Sequence, residues 1–209
     1  MANKDKFPTM ASPQSYYNDM VFGEAFGALP LGPDGSNVNI AFAIAARAFS
    51  LRDLGPTISP MNSFLIMTGC ETLPLRMERH CANALKVAEH LSGHDKVSWV
   101  RYAGLKGDKH YDRAKTYLPK GAGAVFTFGL KGGHEAGVKL VEGVKLFSHL
   151  ANIGDTRSLI IHPASTTHSQ LTDAQKTAAG AAPDTVRLSV GIEDAADIIA
   201  DLDQALAAL

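Results

Sequence analysis

The sequence lacks a surplus of either charge: 20 basic and 21 acidic residues leave a net charge of -1 over 209 residues. A balanced surface gives no electrostatic footprint for nucleic acid or for an anionic membrane, so neither is an expected partner. Cysteine is scarce. Cys70 and Cys81 are the two present, and neither belongs to a CxxC pair or a spaced metal quartet, which predicts reduced structural thiols of the core and no disulfide framework. Long apolar runs are also missing. The opening MANKDKFPTMASPQSYYNDM contains no secretory core, and nowhere do about 18 apolar residues follow one another, so a cytoplasmic chain without a membrane span is expected. What remains is 45% hydrophobic and 20% charged, the composition of a chain that folds around a sizeable core.

Residues 1–36 are punctuated by Pro8, Pro13, Pro30, Gly32, Pro33 and Gly35, and read as an irregular arm. From Asn37 the pattern turns helical through Leu54, with Gly55-Pro56 as the stop. Ser59-Pro60 restarts a helix that Phe64, Leu65, Met67 and Thr68 carry, serine capping and proline occupying the first turn. Pro74 opens a third, which Gly93 ends; its Arg76, Glu78, Arg79 and Lys86 are expected to face water or a partner subunit. The period then changes to two. VSWVRY (97–102), AVFTFGL (124–130), SLII (158–161) and TVRLSV (185–190) read as strands. Helices are expected over 108–118, over 134–147, and from Asp194 to the end with Ile198, Leu202, Ala205, Leu206 and Leu209 on one side. Helices packed on a small sheet make an α/β (α+β) domain over 37–209.

Polar residues crowd NIGDTRSLIIHPASTTHSQLT (152–172), where Asn152, Asp155, Arg157, His162, Ser165, Thr167 and His168 surround one short strand. They form either the lining of a site or a polar loop whose side chains satisfy their own turns. His162 and His168 lack the spacing and companions of a zinc site, and Ser165 stands in no GxSxG elbow, so neither metal nor hydrolase chemistry is expected. In TVRLSV, alternation puts Val186, Leu188 and Val190 on one face and Arg187 with Ser189 on the other. A guanidinium there can fork onto a carboxylate, or it can sit on a solvated face or in a structural ion pair. GLKGGHEAG (129–137) matches no phosphate-binding fingerprint, and its glycines are assigned to turns and packing.

Taken in order, FLIMTGCETLPLRMERHCANALKVAEHL, WVRYAGL, GAVFTFGLKGGHEAG, FSHLANIGDTRSLIIHPASTTHSQL and VRLSVGIEDAADIIADLDQAL resemble the C-terminal third to half of the Cys/Met-metabolism family of pyridoxal-phosphate enzymes. GDTRSL resembles the O-acetylhomoserine sulfhydrylases in particular. The resemblance implies the C-terminal domain of a fold-type I transferase that uses pyridoxal 5'-phosphate to make homocysteine or methionine from O-acetylhomoserine and sulfide or a thiol. It carries Arg187 over as the clamp on the substrate α-carboxylate, places Asn152 near substrate, and puts Thr167 and Ser165 around the pocket. In that family the Schiff-base lysine stands in a Ser-x-Thr-Lys type segment, which this chain does not contain. The resemblance therefore implies a chain inactive alone, exposing apolar surface and self-associating or assembling with a complementary half. The alternative is a non-catalytic binding or regulatory module associating with a full-length relative.

Overall fold

The computed structural model describes residues 7–209. The chain divides into two compact units, 1–67 and 68–209. In the smaller unit, short helices α1 (Phe22–Ala25) and α2 (Ala41–Ala45) accompany a π-helical segment, Ala46–Asp53. A small core of Met10, Phe22 and Ala45 gathers Tyr17, Phe26 and Phe49 around it. The Phe22 and Phe49 rings lie 4.9 Å apart, and Tyr17 meets Phe22 edge to face at 5.4 Å, an arrangement favoured by the ring quadrupoles. The Tyr17 hydroxyl donates to Asp53 at 2.8 Å. So the described part of the arm shares an ordered aromatic cluster with α2 and the π-helical segment. Asn18 and Asp19 take left-handed backbone, which their short polar side chains tolerate better than most.

One continuous helix was expected over 37–54. Instead the Asn39 side chain accepts the N–H of Ala41, α2 starts there, and the winding loosens into the π segment before Gly55 stops it at φ +65°. α3 (Pro60–Glu71) starts as expected, with Ser59 Oγ accepting the N–H of Asn62. The unit boundary falls inside α3.

In the larger unit the elements run α4 (Leu73–Ser92), β1 (Val97–Arg101), α5 (Tyr111–Tyr117), β2 (Val125–Leu130), α6 (Gly133–Gly143), β3 (Ser148–His149), β4 (Leu159–Ile161), α7 (Asp173–Ala178), β5 (Thr185–Ser189) and α8 (Ala195–Ala207). The sheet order is β1-β2-β5-β4-β3, antiparallel except for the short parallel pair β3–β4. β5, the last strand in the sequence, therefore sits at the centre. Val186, Leu188 and Val190 are fully buried and join Phe126 and Phe128 of β2, Val87 and Leu91 of α4, Leu140 of α6, and Ile198, Leu202 and Leu206 of α8 in one core. A bulge between Val97 and Trp99 lets both Val97 and Val100 turn inward to that core.

Two expected helices are shorter than their periodicity suggests, each because a carboxylate captures backbone donors. Asp108 accepts the N–H of His110 at 2.8 Å, so α5 begins at Tyr111. Asp201 of α8, 8% exposed, accepts from the N–H groups of Lys145, Leu146 and Phe147. Those groups are then unavailable to α6, which ends at Gly143, and the chain extends into β3. α7 was not anticipated, although Thr172 and Gln175 form a complete capping box that was readable as T-x-x-Q. The cysteines are not core residues as expected: Cys70 is exposed and Cys81 partly so.

Removing the Asp201 carboxylate strands backbone donors in a buried turn. Asp201→Ala should lower unfolding free energy by about 3 kcal/mol, read from urea denaturation followed by circular dichroism.

Candidate functional site

Arg187 lies mid-β5, opposite Thr127 of β2 and Ile161 of β4, on the face away from Val186 and Leu188. It is half-buried. Its Nη2 donates to the carbonyl oxygen of Asn152 at 3.1 Å. A guanidinium carries five N–H donors, and this is the one hydrogen bond given to it among the described residues, so most of the fork is left for another acceptor. No carboxylate pairs with it among the described residues. The structural ion pair weighed from the sequence is thus not what Arg187 makes.

The loop supplying Asn152 is itself pinned. Its Oδ1 accepts the N–H of Ile153 at 2.8 Å, and Asp155 accepts the N–H of Arg157 at 3.0 Å. That backbone donor, aided by the Arg157 guanidinium, holds the Asp155 carboxyl below its ordinary value. Ser158 then anchors the loop to the chain beyond β5. Its N–H and hydroxyl donate to the two carboxylate oxygens of Glu193 at 2.6 and 2.9 Å, and its Oγ accepts the N–H of Gly191 at 2.9 Å. Gly191 is required: a Cβ there would fall 2.3 Å from Glu193 Oε2 and 2.4 Å from the Thr156 carbonyl oxygen.

α4 grips the same turn from the other side. The carbonyl of Val190 can only accept, so His80 Nδ1, 2.6 Å away, carries the proton that it receives. Asn83 Nδ2 donates to the carbonyls of Gly191 and Glu193 at 3.0 and 2.8 Å, and Arg79 donates to that of Glu193 at 3.2 Å. Arg79 was expected to face water or a partner; although exposed, it spends its donors on this turn. His80, Asn83, Ser158 and Glu193 are positioning residues that sequence reasoning missed, because their partners are main-chain groups about 35 to 110 residues away and no local spacing encodes them.

Ser165 and Thr167 stand on the loop after β4 and are exposed. Ser165 Oγ lies 2.9 Å from Nδ1 of His162, and Thr167 Oγ1 lies 2.8 Å from Nδ1 of His168. Their hydrogen bonds run within this loop and not to Arg187 or Asn152. His162 Nε2 faces the Pro183 carbonyl at 2.8 Å; it must donate, which leaves Nδ1 to accept from Ser165. Burial lowers the pKa of His162, partly opposed by that Pro183 bond. Gly137 of α6 lets the ring in: a Cβ there would meet His162 Cδ2 at 2.4 Å, which gives one glycine of GLKGGHEAG its packing role.

Among the described residues no lysine amine hydrogen-bonds to Arg187, Asn152, Ser165 or Thr167. Lys176, close enough to His162 to lower its pKa, is paired with Asp173 at 3.6 Å. The residues present fit a carboxylate and do not by themselves fit a cofactor held through a Schiff base. No cluster of histidine, cysteine and acidic residues among the described residues could hold a metal ion.

Arg187, its guanidinium largely open, thus stands midway along the central strand of a small α/β sheet, next to the polar loop that carries Asn152. The chain belongs to the family described as Cys/Met metabolism PLP-dependent enzymes, whose pattern it matches over residues 35–207. It is 53% identical over 203 residues to an O-acetyl-L-homoserine sulfhydrylase of Leptospira meyeri, covering 96% of this chain and 45% of that protein. It is 47% identical to a homocysteine synthase of Schizosaccharomyces pombe, covering 98% of this chain and again 45% of the relative. A solved structure described as an O-acetylhomoserine (thiol)-lyase of Campylobacter jejuni, carrying N'-pyridoxyl-lysine-5'-monophosphate, superposes with a TM-score of 0.74 at 38% identity, over 88% of this chain and 45% of its own. The chain thus spans just under half the length of these relatives. The fold expected from the sequence is the one found, and the family is a pyridoxal-phosphate family as the resemblance implied.

The His162 arrangement fixes a pH response. Its folded-state pKa lies below the ordinary 6.5, so the unfolded chain binds the proton first as pH falls. The stability this group contributes is present above about pH 6.5 and is lost as pH drops through the lower folded value. In ¹⁵N-edited spectra His162 should appear as the Nε2–H tautomer and titrate below the ordinary imidazole value.

Proposed function

We propose that this chain is the carboxylate-binding portion of an O-acetylhomoserine sulfhydrylase, in which an acylated homoserine exchanges its γ-acyloxy group for sulfide or a thiol to give homocysteine or methionine. The observation that carries the reading is the Arg187 guanidinium, aimed by the Asn152 carbonyl and otherwise open. The names of the Leptospira meyeri and Schizosaccharomyces pombe relatives supply the substrate class.

In this reading the open fork of Arg187 takes both oxygens of the α-carboxylate, which fixes the amino acid in orientation as well as place. Asn152 sets the direction of the guanidinium through its main-chain carbonyl. Ser165 and Thr167 bound the pocket on the side of the loop after β4. Pyridoxal phosphate, when bound, supplies the electron sink for chemistry at the substrate carbon skeleton. The Schiff-base lysine comes from polypeptide outside this chain, residues 1–36 being the arm that leads in from it and 37–209 the substrate-binding domain. The exposed apolar residues of α3, among them Leu65, Ile66 and Met67, are the surface onto which that polypeptide packs. An apolar stretch of this kind on a water-exposed helix marks an interaction site.

The same surface also supports a second reading, a non-catalytic module that joins a full-length relative. Among the described residues no helix is long and apolar enough to cross a membrane.

Co-expression with the remaining portion of the Leptospira meyeri relative separates the two. The sulfhydrylase reading predicts a complex that binds pyridoxal phosphate and forms homocysteine from O-acetylhomoserine and sulfide. Arg187→Ala should raise KM for O-acetylhomoserine by about 100-fold, the loss of a charge-assisted carboxylate contact. The chain alone, treated with pyridoxal phosphate and borohydride, should show no stoichiometric adduct on one lysine. A single fixed lysine with turnover by the chain alone would contradict the reading, and a complex without turnover would favour the module.

A further inference from the structure

A concavity in the larger unit, which shares no residue with the polar wall, lies between α4, the chain from β1 into α5, and the return from α5 to β2. It encloses about 570 Å³, within the size range of small-molecule sites. α4 contributes Glu78, Cys81, Ala82 and Leu85, positions that fall on one stripe of a helix. Leu85 and Ala122 are packed against the main core, so the floor is the apolar fringe of that core left uncovered. Ala114 and Leu118 of the α5 region form the facing wall.

Two glycines bring the backbone close against other residues of the lining. A Cβ at Gly104 would fall 2.5 Å from the Tyr102 ring, and one at Gly121 would fall 2.7 Å from Cys81 Sγ. Tyr102 does not offer a free polar group: its hydroxyl donates to the Gly123 carbonyl at 2.8 Å. The charged groups that line the cleft are Lys115, Lys120 and Glu78, two cations against one anion, so its balance is +1. Neither lysine pairs with a carboxylate among the described residues. Lys115 instead holds its ammonium 5.3 Å from the centre of the Tyr111 ring, a contact that leaves N–H donors directed outward.

An apolar floor under two cations that lack an acidic partner complements one chemical class. We propose that this cleft binds a small amphipathic carboxylate, its apolar body against Leu85, Ala114 and Leu118 and its anion between Lys115 and Lys120. Its apolar part gains by leaving water, and its carboxylate gains charge-assisted hydrogen bonds at the rim. Cys81, on the floor, reports occupancy.

The test uses the whole chain carrying Cys70→Ser, so that Cys81 is its one thiol, with octanoate as probe and octanol and octylammonium as controls of equal length. Octanoate should slow reaction of Cys81 with a disulfide reagent in a saturable way, and Lys115→Gln with Lys120→Gln should weaken that protection about tenfold without changing the circular dichroism spectrum. Octanol should protect less well by a similar factor, and octylammonium least. Absence of protection, equal protection by all three, or protection indifferent to the lysines would overturn the proposal.

Discussion

The site depends on how α4 and the Ser158 loop hold the turn that follows β5. Val190, Gly191 and Glu193 present carbonyls and a carboxylate in a partly buried place; His80 donates to the first carbonyl, Asn83 to the other two and Ser158 to both oxygens of the carboxylate. Unmet, each would cost on the order of 1–3 kcal/mol. Met, they lock the end of the central strand to a long helix and to the loop that carries Asn152. Arg187 and the carbonyl that aims it are therefore parts of one hydrogen-bonded frame. The frame admits no side chain at Gly191, because the carboxylate of Glu193 and the carbonyl of Thr156 already occupy that space.

The sheet order explains why this frame sits where it does. β5 is the last strand in the sequence yet lies between β2 and β4, so the residue at its middle faces neighbours from both halves of the larger unit. One face of β5 is spent on the core with α4, α6 and α8. Position 187 projects from the other, where it is half-buried, dry enough to strengthen a charged contact and open enough to admit a ligand. Asp201 performs a related task at the far edge, ending α6 by taking its next backbone donors.

Much of this was legible in the sequence, and the reasons are physical. Alternation in TVRLSV separated Val186, Leu188 and Val190 from Arg187, and the burial follows that division. Ser59-Pro60 and Gly93 marked helix ends because capping is a local chemistry. The 37–54 and 134–147 segments came out differently because side-chain carbonyls and carboxylates, Asn39 locally and Asp201 from a distance, compete with the helix for backbone N–H groups. The polar stretch from Asn152 to His168 left open a site lining or a loop that satisfies its own turns; in the structure its first part is a pinned loop that meets Arg187, and a separate network joins Ser165 and Thr167 to His162 and His168. The partners of His80 and Asn83 were beyond any local pattern.

The most direct test of the clamp is the Nε–H resonance of Arg187 in ¹H–¹⁵N spectra of the whole chain titrated with O-acetyl-L-homoserine and, separately, with its α-carboxamide. If Arg187 is held open for a carboxylate, its resonance shifts saturably with the acid and stays in place with the amide. Identical responses to the two, or none to the acid, would contradict the account.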